Sequence, residues 1–139
     1  MPSTVLLAVL LAVGCGLLAA ACGSATGGEG TDPGPYTVTN LVVGGQVVEP
    51  VTARVEIDRT FGDLTIDTDC GTTLGAVALR HDGRAAVSLP GGSVRPCEPA
   101  TRTGVDTLVA ALERTSAWSE SASAIVFSND DHDVVTIRR

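Results

Sequence analysis

Ala53-Arg54-Val55-Glu56-Ile57-Asp58 and Asp63-Leu64-Thr65-Ile66-Asp67-Thr68 alternate apolar and polar residues on either side of Thr60-Phe61-Gly62. A period of two puts successive side chains on opposite faces of a strand, so Val55, Ile57, Leu64 and Ile66 share an inward face. The pair reads as a hairpin. Downstream, Gly75-Ala76-Val77-Ala78-Leu79-Arg80 and Ala85-Ala86-Val87-Ser88-Leu89 flank His81-Asp82-Gly83-Arg84. The Asp-Gly pair is a strong hairpin signal, and Pro90-Gly91-Gly92 is expected to end the second strand. Upstream, Tyr36-Thr37-Val38-Thr39-Asn40-Leu41 turns at Gly44-Gly45 and returns through Gln46-Val47-Val48-Glu49 to Pro50, a further hairpin.

One helix is expected among these strands. Val105, Leu108, Val109 and Leu112 recur at helical spacing, with Thr103 as N-cap, Asp106 in the first turn and Arg114 in the last. Trp118, Ala124-Ile125-Val126-Phe127 and Val134-Val135-Thr136-Ile137 then read as two or three closing strands around Ser128-Asn129-Asp130-Asp131-His132. Strands segregated from a single late helix indicate an α+β domain.

The N-terminus gives an address. Val5 to Ala21 is uncharged and apolar, and Leu18-Ala19-Ala20-Ala21-Cys22 has the form of a bacterial lipobox. Residues 1–21 are thus expected to be a signal peptide, with Cys22 the lipidated first residue of the mature protein. Cys15 after Ala12-Val13-Gly14, ordinary signal cleavage at the small-x-small pair Ala19 and Ala21, and an uncleaved span remain alternatives. Residues 22–35 contain the Gly/Pro/Ser/Thr-rich stretch GSATGGEGTDPGP and read as a flexible tether. Residues 36–139 are enough for one core.

The formal net charge is −7, all nine basic residues are Arg, and none of the charge lies in residues 1–28. An acidic chain repels phosphates, so no nucleic-acid partner is expected, anionic lipid headgroups are expected to be poor partners, and the membrane contact is assigned to the lipid and not to the protein surface. The aromatics Tyr36, Phe61, Trp118 and Phe127 are too scattered for a stacking platform. With Cys15 removed and Cys22 lipidated, Cys70 and Cys97 remain as an even pair, for which a disulfide is the default in an exported chain.

From about Tyr36 to Ile137 the chain resembles the META domain, or HslJ-like domain, of small bacterial envelope lipoproteins. The resemblance is carried by Tyr36-Thr37-Val38 with Gly44-Gly45-Gln46, by Asp69-Cys70-Gly71-Thr72-Thr73-Leu74-Gly75, and by Ser93-Val94-Arg95-Pro96-Cys97 before an amphipathic helix and Trp118. Gly71 stands where the family has Asn, Asp69 where it has Gly, and the family's Met before the second cysteine is absent. The resemblance implies a curled antiparallel sheet packed on one helix of the C-terminal half, in an anchored envelope protein with no established catalytic activity.

Residues able to carry chemistry are few. Asp63, Thr65, Asp67 and Asp69 fall on one strand face and Asp130-Asp131-His132-Asp133 in a turn. Both groups are read as solvated surface, and no metal or other cofactor is expected. Ser93 after Gly91-Gly92 lacks a base beside it, and His81 and His132 read as turn residues, so no catalytic set emerges. The expected function is a non-catalytic interaction or small-ligand-binding module, lipid-anchored on the extracytoplasmic face of the cell membrane. Its partner would be an envelope protein or a small ligand, and the alternative is a structural or assembly factor of an envelope complex.

Overall fold

The computed structural model describes residues 34–139. The expected signal peptide, Cys15, the expected lipid acceptor Cys22 and nearly all of the expected tether lie outside the described residues. Nine strands and one helix follow in order: β1 (Tyr36–Val43), β2 (Gln46–Val48), β3 (Ala53–Asp58), β4 (Asp63–Thr68), β5 (Gly71–Leu79), β6 (Ala85–Val94), α1 (Pro99–Glu113), β7 (Ala117–Glu120), β8 (Ala124–Ser128) and β9 (Val134–Arg138). The fold class is α+β, a curled antiparallel half-barrel with one helix.

Alternation sets the register. Val55 pairs with Ile66 and Ile57 with Leu64, so all four side chains point inward, and each is at most 4% exposed. Tyr36, Leu41, Val87, Leu108, Leu112, Ile125, Phe127, Val135 and Ile137 complete one continuous core. Each strand leans on its neighbour in the order β6-β5-β4-β3-β1-β9-β8-β7, with β2 paired to β1. β1 is therefore the centre of the sheet, between β3 and the last strand, β9.

The two edge strands of this path meet at one place. Arg84 and Ala117 form an isolated bridge, Ala85 N–H donates to the Ser116 carbonyl (3.0 Å) and Trp118 N–H to the Gly83 carbonyl (2.9 Å). The curled sheet thereby has a mouth at the end carrying the β3–β4 and β5–β6 turns. At the other end lies α1. Its entry is bridged to the β4–β5 turn through the Cys70–Cys97 disulfide, and its C-cap Arg114 binds Asp133 beside the β8–β9 turn.

Several local expectations are corrected. The helix begins at Pro99, with Glu98 as N-cap in extended conformation and no side-chain cap bond. Proline at N1 lacks only an N–H that would have no helical partner there, so it starts the helix four residues before the Thr103 cap expected from the sequence. Thr103 instead donates its hydroxyl to the Pro99 carbonyl (3.1 Å). Asp106 lies mid-helix, and Arg114 is the C-cap rather than part of the last turn.

Pro90-Gly91-Gly92 does not end its strand. β6 runs through them to Val94 opposite a β5 that begins at Gly71, four residues before Gly75, with a register shift between Leu74 and Ala76. An edge strand has one side without a ladder partner, so proline is tolerated there. Gly71 (φ 130°) and Gly92 (φ 139°) let the two strands approach, because a Cβ at Gly71 would strike the Ser93 carbonyl and one at Gly92 the Thr72 carbonyl.

Candidate functional site

The mouth is built from residues far apart in the chain. After β3, the Asp58 carboxylate accepts from Thr60 N–H (2.8 Å) and Phe61 N–H (3.2 Å), and Gly62 N–H returns to the Asp58 carbonyl (2.7 Å). This turn projects Arg59 over the opening and leaves Phe61 79% exposed. Across it, Arg59 makes a bidentate pair with Glu120 at the end of β7, at 3.1 and 2.6 Å. Its guanidinium also lies 5.9 Å from the centre of the Trp118 ring. Trp118 is fixed in turn, since its indole N–H donates to the Arg80 carbonyl (2.8 Å).

Between these groups is a cleft of about 260 Å³. Ile57, Val77 and Leu79 form its apolar floor, and Arg59, His81 and Trp118 its rim. Asp82 in the neighbouring turn is held below the usual carboxylate range, first by the Arg84 side chain and then by Arg84 N–H. Concave, mostly apolar, with a few converging polar groups, the cleft has the composition of a small-molecule site at the end of a barrel. Trp118, read from the sequence only as part of a closing strand, and His81, read as a turn residue, are both rim groups. Arg59, 59 positions before Trp118, carried no sequence signal. The sole Trp of the chain was the one available hint.

At the opposite end, Cys70 is buried and Cys97 half-buried. Arg102 donates to the carbonyls of Cys70 (3.2 Å) and Arg95 (2.9 Å), and Arg95 N–H to the Cys70 carbonyl (2.8 Å). The disulfide thus sits in a bonded node and anchors the start of α1.

The acidic groups are not brought together. Asp63 and Asp67 are exposed on the outer face of β4, Asp67 accepting from Thr72 (2.9 Å) and Arg95 (3.4 Å), while Asp69 is exposed in the next turn. Asp130, Asp131 and His132 are exposed in the β8–β9 turn, where His132 adopts φ 64°. Asp133 corrects the reading of this turn as solvated, because it is only 3% exposed. Its carboxylate accepts from Gly44 N–H (2.8 Å), the Asn129 amide (2.9 Å) and Arg114 Nε (2.8 Å). The Asn129 bond, then Gly44 N–H, then Arg114 lower its pKa to about 2 against the opposing effect of burial. Among the described residues no group of three or more His, Cys, Asp or Glu is arranged to hold a metal ion. No helix among them is long and apolar enough to cross a membrane.

No protein-family model matches the chain, and no curated protein matches it. Among solved structures, the chain is similar to the crystal structure of a DUF4847 family protein from Bacteroides vulgatus ATCC 8482, at 9% identity and a TM-score of 0.56. The match covers 76% of this chain and 91% of that one. At that identity the likeness concerns the fold alone.

Proposed function

We propose that this chain is a lipid-anchored extracytoplasmic envelope protein of META-like type whose half-barrel binds a small amphiphilic ligand at its mouth without catalysis. The observation that carries this reading is the cleft itself: an apolar floor of Ile57, Val77 and Leu79 under a rim of indole, guanidinium and imidazole. An apolar body can settle on the floor while a polar or anionic end meets Arg59 and His81. The Arg59–Glu120 pair and the indole bond to Arg80 hold the rim in place before binding, which reduces the ordering cost of association. The lipobox at Cys22 supplies the anchoring half of the reading. An assembly factor would call for a contiguous apolar patch, whereas the exposed large apolar residues Val47, Phe61, Leu74 and Val94 stand on four different elements.

Trp118 is the only tryptophan, so its fluorescence reports the rim directly. Titration with anilinonaphthalene sulfonate, a small aromatic anion, is expected to quench Trp118 with a dissociation constant on the order of tens of micromolar. Leu79→Glu, which places a carboxylate on the floor, is expected to abolish the signal. Equal binding by the wild type and Leu79→Glu would refute the cleft as the site.

A further inference from the structure

The floor of the cleft is nearly shut from solvent in this structure. Ile57 and Val77 line it yet are only 4% and 6% exposed, and Leu79 beside them is half-buried. The side chain that lies across this end is Arg59, which lines the cleft, sets its guanidinium over the Trp118 ring and reaches Glu120 with two hydrogen bonds. A ligand bound for the apolar floor has to pass that side chain.

The pair joins two parts of the rim that are held separately. On one side, the β3–β4 turn is tied to β5, since Val77 N–H donates to the Gly62 carbonyl (2.8 Å). On the other, Trp118 is tied to the β5–β6 turn through its backbone N–H and its indole. Neither attachment runs from the β3–β4 turn to β7, whereas the Arg59–Glu120 pair does, linking positions 61 apart. The neighbouring ion pairs are local, because Arg80 and Arg84 both reach Asp82 within one turn. They are also more exposed, while the Arg59 and Glu120 side chains are 32% and 31% exposed. Glu120 is the last residue of β7, and its carboxylate takes no part in the ladder with β8. Parting the pair therefore breaks no sheet bond, and a partly exposed ion pair is weak enough to part by side-chain rotation.

We propose that the Arg59–Glu120 pair is a latch over the cleft: closed, it covers the apolar floor, and its opening admits and releases the ligand. The proposal rests on the cleft being the ligand site and adds the step by which that site is reached. A latch serves traffic in both directions, so weakening it speeds entry as well as exit. A contact that only held the rim in its binding shape would, when weakened, speed exit alone.

The test compares the wild type with Glu120→Gln and with the charge-reversed double variant Arg59→Glu/Glu120→Arg. Stopped-flow quenching of Trp118 by N-phenyl-1-naphthylamine gives the entry and exit rates, and because this probe is uncharged, the altered charge of Glu120→Gln does not steer it. Acrylamide quenching of Trp118 without ligand reports how far the rim is covered. Glu120→Gln is expected to raise both rates by about three- to fivefold, the scale of a partly exposed ion pair, and to increase acrylamide quenching. The double variant, which re-forms a pair in the opposite sense, is expected to return all three toward wild type. An unchanged or lower entry rate in Glu120→Gln, or unchanged acrylamide quenching, overturns the latch while leaving the cleft as a site. A double variant no closer to wild type than Glu120→Gln overturns it as well, since the effect then belongs to single residues. If the uncharged probe does not bind the wild type, the latch falls as a gate, and the anilinonaphthalene sulfonate titration decides separately whether the cleft stands.

Discussion

Arg114 Nε donates to Asp133 Oδ2 at 2.8 Å, joining the helix C-cap to the β8–β9 turn across 19 residues. The same carboxylate accepts Gly44 N–H, so one buried side chain clamps the helix, the last hairpin and the β1–β2 turn. Asp133→Asn keeps the shape but removes the charge and turns one acceptor into a donor. It is expected to lower the unfolding free energy by about 1–3 kcal/mol in denaturant titration. The exposed Asp130→Asn and Asp131→Asn variants are expected to stay within about 0.5 kcal/mol of wild type.

Acid should act through the same residue. Folding lowers the Asp133 pKa from 3.8 to about 2. Its contribution is therefore complete above the unfolded value and is lost as pH falls through that window toward the folded one. Unfolding free energies measured at closely spaced pH values between about 5 and 2 are expected to decline more steeply for the wild type than for Asp133→Asn. Parallel slopes would remove this assignment.

The bridge joins Cys70 and Cys97, 27 positions apart in the chain. Cys70→Ser is expected to cost about 2–5 kcal/mol, the usual loss when a native disulfide is removed from a small domain. Two reactive thiols in the unreduced native protein would contradict the bridge.

Gly71 sits at φ 130° with its missing Cβ aimed at the Ser93 carbonyl. Gly71→Ala is expected to destabilise by about 2–4 kcal/mol, through backbone strain and overpacking together. Asn, which the META pattern carries at this position, should be no better tolerated here. Thermal unfolding of both variants checks this.

Anchoring has its own test. Cys22→Ala is expected to shift the protein from the membrane fraction to a soluble or precursor pool, while Cys15→Ala leaves it in place. Equal membrane retention of both variants would refute lipidation at Cys22.

What was readable in the sequence is what is local. The β3–β4 hairpin follows from alternation alone, and the Asp82-Gly83 turn from its two residues. The helix start was obscured because Glu98 and Pro99 begin it without a side-chain cap, so Thr103 looked like the better signal. The length of β6 was obscured because Pro90, Gly91 and Gly92, turn-formers by propensity, lie on an edge where they are tolerated. Asp133 looked like its exposed neighbours Asp130 and Asp131 because its burial is decided by Arg114 and Gly44, which are distant in sequence. The cleft was invisible for the same reason, since Arg59, His81 and Trp118 meet only once the sheet has curled.

The central place of β1 has a temporal consequence. Thr37 finds its partner on one side in Arg54 and on the other in Arg138, so the first strand waits for the last before it is flanked on both edges. The hairpins between them can form as they emerge, but bringing together residues about a hundred positions apart requires the largest loop closure in the molecule. A nascent chain of this kind has no complete half-barrel until its final residues are made. Until then one edge of β1 lacks its ladder partner, and the sheet is open at its centre.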